Sequence, residues 1–152
     1  MGTWVLLAYR LPREPSTPRI ALWRRLRQLG AVQLVDGLVA LPLDERTREQ
    51  FDWLAQDVLD AGGEASVWIS EPATAAQERA LKARMKEALA ADYRTIVEAA
   101  EAARDSSDAK RAAARLRRAL VKVNARDFVA PPERREAERA VRALGAQTEA
   151  RQ

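Results

Sequence analysis

The sequence predicts an α+β protein: a ferredoxin-like βαββαβ antiparallel sheet unit followed by an all-helical C-terminal extension. Three observations carry this expectation. Short apolar runs at residues 4–11, 31–35, 38–42 and 64–69 are bounded by Pro, Gly or Asp. Two amphipathic segments, 17–29 and 44–61, separate them into the order β, α, β, β, α, β. After residue 71 no strand pattern returns, and Ala, Leu, Arg and Glu, which are good helix formers, dominate. The expected parts are therefore residues 1–71 and residues 72–152, the second packed on the first as one compact domain.

The first strand, Trp4 to Leu11, is apolar on both alternating sets, as expected of a central strand covered on both faces. The elbow PREPSTP ends it, because proline fixes φ and restrains the residue before it. Thr17 is the expected cap of the first helix, with Pro18 at its first position. Ile20, Leu22, Trp23, Leu26 and Leu29 are its expected inner face, and Gly30 its left-handed stop. Asp36-Gly37 predicts a type I′ hairpin between the second and third strands. Asp44 caps a second helix carrying Phe51, Leu54 and Val58 inward, and Gly62-Gly63 ends it. In the fourth strand Ala65, Val67 and Ile69 share the apolar side. Trp68 shares the other side with Glu64, Ser66 and Ser70, and is expected to cover the tail or stay exposed at an interface. Trp4, Trp23 and Trp53 are expected to pack. The second face of the first strand needs a cover, from the remaining chain or from a second copy in a homodimer.

In the tail, Leu81, Met85, Leu89, Tyr93, Ile96, Val97 and Ala100 form one stripe, with Asp92 as an expected bend. DSSD at 105–108 separates it from a helix carrying Leu116, Leu120 and Val123. After ARDFVAPP a last helix runs through Ala137, Val141 and Leu144.

The chain has no cysteine and no histidine, which removes disulfides, thiolate and imidazole metal sites, and Cys- or His-based catalysis. No catalytic residues, metal site or cofactor are predicted, and the chain is not expected to be an enzyme. It has no apolar run near the roughly 18 residues of a membrane span and no signal-peptide pattern, so no membrane partner and a cytoplasmic location are expected.

Net charge is +4, unevenly spread. Residues 1–30 hold six basic residues against one acid, residues 31–70 two against eight, residues 71–109 six against eight, and residues 110–152 twelve against five. Two basic blocks flank an acidic middle, a pattern that suits polyanion binding or a solvated surface. At the elbow, Arg10 and Arg13 could converge on an oxyanion, since guanidinium offers a planar fork of donors. The plainer alternative pairs Arg10 with Glu64 or Glu71. Arg24 and Arg27, with Arg25 nearby, could grip phosphates, or the helix could face the acidic second helix with Asp52, Asp57 and Asp60. In the tail, Arg111, Arg115, Arg118 and Lys122 recur at spacings of four, three and four, a basic stripe opposite the leucines and the best DNA-binding candidate. Solvation alone would also account for it, and no helix-turn-helix, zinc-finger or RNP motif accompanies it.

The stretches WVLLAYRLPREPSTPRIALWRRLRQLGAVQLVDGLVALP, REQFDWLAQDVLDAGGEASVW and ARDFVAPP resemble the amino-terminal domain of the ChrB family of chromate-resistance regulators. The resemblance covers nearly the whole chain and is most specific from Leu11 to Gly37. It implies a dimerising ferredoxin-like unit, similar to those of PaaX-type repressors and CRISPR-associated Cas2 proteins, in chromate-responsive control of transcription; together with the charge pattern it leads to the expectation of a regulatory module that binds operator DNA or a partner domain through its basic helices. It also implies a further carboxy-terminal domain in longer members, which this sequence does not include. The alternatives are a small-oxyanion (chromate or sulfate) sensing domain without direct DNA contact, with Arg10, Arg13 and Arg19 as candidate ligands, or a Cas2-like nucleic-acid-binding protein without nuclease activity. In Cas2-like nucleases an aspartate ends the first strand, where this chain has Tyr9 and Arg10.

Overall fold

The computed structural model describes residues 2–151. In chain order the elements are β1 (Trp4–Arg10), α1 (Thr17–Leu29), β2 (Val32–Val35), β3 (Leu38–Pro42), α2 (Glu45–Asp60), β4 (Glu64–Ser70), α3 (Ala75–Ala103), α4 (Ala109–Ala125) and α5 (Glu133–Ala150). The protein is thus α+β, with one four-stranded antiparallel sheet and five helices among the described residues. The chain divides into two compact units, Met1–Arg84 and Met85–Gln152, with the boundary inside α3.

In the first unit the strands lie in the order β2-β3-β1-β4. Central β1 sets Leu6 opposite Ala40 of β3 and Trp68 of β4, which fixes the register on both sides. Val5 and Leu7, on one parity, are fully buried with Val39 and Leu41 of β3. The helix α2 packs on β1 and β4 and brings Phe51, Leu54 and Val58 into this core, beside Leu22, Leu26 and Leu29 of α1. On the other parity Trp4 and Ala40 are also buried. Their cover is the start of α3, whose Ala80 and Leu81 line a small groove with Trp4, Leu6 and Leu34. Glu78 anchors it: its Oε1 accepts from the Gly2 backbone N–H at 2.6 Å and from the Trp4 indole N–H at 3.3 Å. The Gly2 hydrogen bond outweighs burial and holds this carboxyl below its ordinary value. This cover leaves Trp68 of β4 61% exposed.

Local chemistry explains most element ends. Asp44 accepts from the Thr47 N–H at 2.7 Å while Thr47 Oγ1 accepts from the Asp44 N–H at 2.9 Å, a reciprocal capping box that starts α2. Gly30 closes α1 at φ 77°, and Gly37 turns the β2–β3 hairpin at φ 79° with its carbonyl accepting from Tyr9 N–H at 2.8 Å.

In the second unit Leu89, Tyr93, Ile96 and Ala100 of α3 meet Leu116 and Val123 of α4 and Val141 and Leu144 of α5 in one buried cluster. Along α3, Asp92 sits inside a single helical span and does not interrupt it.

Four local expectations are corrected. The N-cap of α1 is Ser16 rather than Thr17, and it makes no side-chain capping bond, so the prolines set this helix start. Ile20 and Trp23 are exposed rather than inward. Leu22, Leu26 and Leu29 complete a stripe at spacings of four and three, and Trp23 lies about 100° around the helix from Leu22. Trp53 is exposed for the same reason beside Phe51 and Leu54 of α2. In the hairpin only Gly37 takes positive φ, so the turn is not type I′. Beside the turn the β2–β3 pairing also shifts register between Gln33 and Val35, a bulge-type irregularity.

Candidate functional site

Two basic regions stand out, one in each unit. In the first unit, the end of β1, the elbow, the start of α1 and the β2–β3 hairpin surround an open groove of about 890 Å³. The elbow carries Arg10 and Arg13 to its rim and the outer face of α1 carries Arg19 and Arg24, so the three arginines expected to bind an anion line one groove with a fourth. They differ in what they already hold. Arg10 Nη2 lies 3.0 Å from Glu64 Oε2 across the β1–β4 register, an exposed ion pair that matches the plainer alternative for this residue. Arg19 Nη1 donates to the Arg13 carbonyl at 3.4 Å. The Arg13 and Arg24 guanidiniums have no carboxylate partner among the described residues.

Trp23 lines the same groove, 56% exposed, with the Arg27 guanidinium 5.2 Å from its ring centroid. Arg27 and Arg24 thus belong to the groove side of α1. Arg25 turns the other way, donating to Gln50 Oε1 of α2 at 2.7 Å beside Asp57. Across the groove stand Tyr9, Gln33 and Asp36, with Gln33 Nε2 donating to Asp36 Oδ1 at 3.0 Å. Burial, and then the Asp36 charge, push the Tyr9 hydroxyl above its ordinary range, so it stays protonated and able to donate.

In the second unit, Arg111, Arg115, Arg118 and Lys122 are all exposed on α4, on the side away from buried Ala112, Leu116 and Val123. None has an acidic partner among the described residues. A second row lies on α5: Arg135, Arg139 and Arg142 are exposed and likewise without an acidic partner among the described residues, opposite buried Ala137, Val141 and Leu144. Their spacing of four and three is the same signal that marked α4, but the glutamates between them masked it. Helices α4 and α5 pack on each other, so both rows belong to one helical pair.

The arginines of the second unit are not all alike. Arg134 lies 3.0 Å from Glu138 and 3.4 Å from Asp127, and Arg126 lies 3.0 Å from Asp92. Asp127 is the hub of the ARDFVAPP loop. Its Oδ1 accepts from the Val129 and Ala130 backbone N–H groups at 2.9 and 2.6 Å, and its Oδ2 lies 2.8 Å from the Tyr93 hydroxyl. That hydroxyl has one proton and also lies 2.8 Å from the Asn124 amide. The proton goes to the charged carboxylate, and the Asn124 amide then satisfies the hydroxyl oxygen by turning its NH₂ toward it. Burial alone would raise the Asp127 carboxyl, but these donors outweigh it and hold it below its ordinary value. Burial and the same hydrogen bond push Tyr93 far up.

Among the described residues no helix is long and apolar enough to cross a membrane. No solved structure matches the chain at a significant level. The Protein ChrB of Cupriavidus metallidurans is 36% identical over 87 residues, 55% of this chain and 27% of that protein, so the match spans about a quarter of the relative. The family described as Protein ChrB, N-terminal, matches residues 19–151, which takes in all but the first two residues of α1, both arginine rows and the Asp127 hub, and the chain belongs to that family.

Proposed function

We propose that this chain is a non-enzymatic regulatory module of bacterial chromate resistance that binds operator DNA through the helices of its second unit. Kinship to ChrB supports the regulatory setting. The observation that carries DNA binding is the α4 row, Arg111, Arg115, Arg118 and Lys122, held on one exposed face with no acidic partner among the described residues. Arg135, Arg139 and Arg142 enlarge the same basic surface, and Arg24 and Arg27 of α1 are a lesser candidate for phosphate contact. Such contacts are sequence-independent and displace condensed counterions, so binding falls steeply with salt. The first unit is read as ferredoxin-like, supported by its βαββαβ order and the β2-β3-β1-β4 sheet. Exposed Trp68 on edge strand β4 supports a homodimer formed through the sheet.

Fluorescence anisotropy with a duplex from the chain's own promoter region tests this. Affinity should fall linearly in log–log form with salt, by about 0.9 in slope for each phosphate neutralised. Replacing Arg111, Arg115, Arg118 and Lys122 together by Ala should flatten the slope by about 3 to 4 and weaken all duplexes alike. An unchanged slope, or no binding at low salt, overturns the proposal.

A second reading, oxyanion sensing in the first unit, is favoured by the groove that gathers Arg10, Arg13 and Arg19. Calorimetric titration with chromate and with sulfate should show saturable heat, reduced in Arg13→Ala; the absence of heat for either anion removes this reading.

A further inference from the structure

The elbow groove is far larger than a tetrahedral oxyanion needs. At about 890 Å³ it falls in the size range of pockets that enclose a whole organic ligand. Its lining is also divided by chemistry. Arg13, Arg19 and Arg24 supply positive charge, with Arg10 already engaged by Glu64. Trp23 and Ile20 supply exposed apolar surface on the same side of α1, where neither contributes to the core. Tyr9, Gln33 and Asp36 supply a donor, an amide and a carboxylate on the hairpin side. A ligand that satisfies all three must carry an anionic group, a flat aromatic surface and a polar edge with both donors and acceptors.

Taking the groove as an anion site, we infer that its ligand is a free nucleotide. The phosphates meet Arg13, Arg19 and Arg24, whose forked donors match phosphate oxygens. The base stacks on Trp23, whose ring is held beside Arg27 and open to the groove. Asp36 accepts from an exocyclic amine or a ribose hydroxyl, and protonated Tyr9 donates to a ring nitrogen or carbonyl. Asp36 repels phosphate, so its place across the groove from Arg13 and Arg19 also orients the ligand, sugar and base toward the hairpin.

The test is calorimetric titration of the full chain with AMP, ADP, ATP and GTP, and separately with phosphate, sulfate and chromate. At least one nucleotide should bind saturably and at least ten-fold more tightly than any inorganic anion. Trp23→Ala, at an exposed position, should weaken nucleotides about ten-fold or more while leaving inorganic anions unchanged. Arg13→Ala with Arg24→Ala should weaken both classes. If inorganic anions bind as tightly as nucleotides and Trp23→Ala changes nothing, the nucleotide inference falls while the oxyanion reading stands. If neither class binds, both fall. A five-residue single-stranded oligonucleotide binding far more tightly than every mononucleotide would show a strand path and also overturn the inference.

Discussion

In the second unit the Arg134 guanidinium lies between two carboxylates, 3.4 Å from Asp127 and 3.0 Å from Glu138, whereas Arg13 at the elbow of the first unit has no carboxylate partner among the described residues. The two side chains are chemically identical. What separates them is the acid placed beside them by the fold, and that acid decides whether positive charge is spent inside the protein or kept for something outside it. Arg126 ties the ARDFVAPP loop to Asp92 of α3, and Arg134 of α5 pairs with the loop's Asp127, whose side chain is fully buried. Arg13, Arg24 and the rows on α4 and α5 have no acidic partner among the described residues, so their charge stays available to an anion brought from solution.

The strongest way to break this contrast is to remove Asp127. Asp127→Ala leaves the Tyr93 hydroxyl, the Val129 and Ala130 N–H groups and Arg134 without their shared acceptor. Loss of a buried charged partner of this kind costs about 3 kcal/mol or more. Urea denaturation followed by circular dichroism should show it, and an unchanged midpoint would mean that the hub is decorative. Tyr93→Phe removes one bond to the hub and keeps the ring in the core, and should cost about 1–2 kcal/mol. Removing the Arg13 or Arg24 side chain, by contrast, should leave the midpoint within about 0.5 kcal/mol, as expected for surface guanidiniums without a carboxylate partner among the described residues.

The same contrast marks what was legible in the sequence. The four strands, the helices between them and the Asp44 cap follow from periodicity and turn chemistry within a dozen residues, and the structure has these elements. The Asp127 hub was invisible because it joins Tyr93, Asn124 and Arg134, residues from three helices whose proximity no local pattern encodes. The groove was half legible. Its arginines cluster around the elbow in the chain, but Trp23 was assigned inward because aromatic residues usually pack, and only the helix phase set by Leu22, Leu26 and Leu29 shows that it faces out. The α5 row obeyed the α4 rule, yet Glu136 and Glu138 between its arginines lowered the net charge and hid it.

Acid sharpens the difference further. Asp127 and Glu78 both have carboxyls held below their ordinary values of 3.8 and 4.5. Each therefore contributes stability that is fully present above the ordinary value and is lost as pH falls from there through the lowered one. Denaturation midpoints of the unaltered chain and of Asp127→Asn should differ most near neutral pH and converge as pH drops below 3.8. A gap that stays constant through this window would show that Asp127 acts by shape alone.

The smallest effect is the most discriminating, because it acts on an arginine caught between the two classes. Arg10 lines the groove but is held at 3.0 Å by Glu64, and both side chains are exposed. An exposed pair of this kind contributes little to stability, so Glu64→Ala should shift the unfolding midpoint by less than about 0.5 kcal/mol. It also removes a negative charge from the groove rim and frees a guanidinium, so affinity for any bound anion should rise about two- to five-fold at low salt and return toward the unaltered value as the Debye length shrinks. If Glu64→Ala instead destabilises the fold by as much as Tyr93→Phe and leaves anion affinity unchanged, Arg10 belongs with Arg134 as an internal tie. Only Arg13, Arg19 and Arg24 would then be left to hold a ligand.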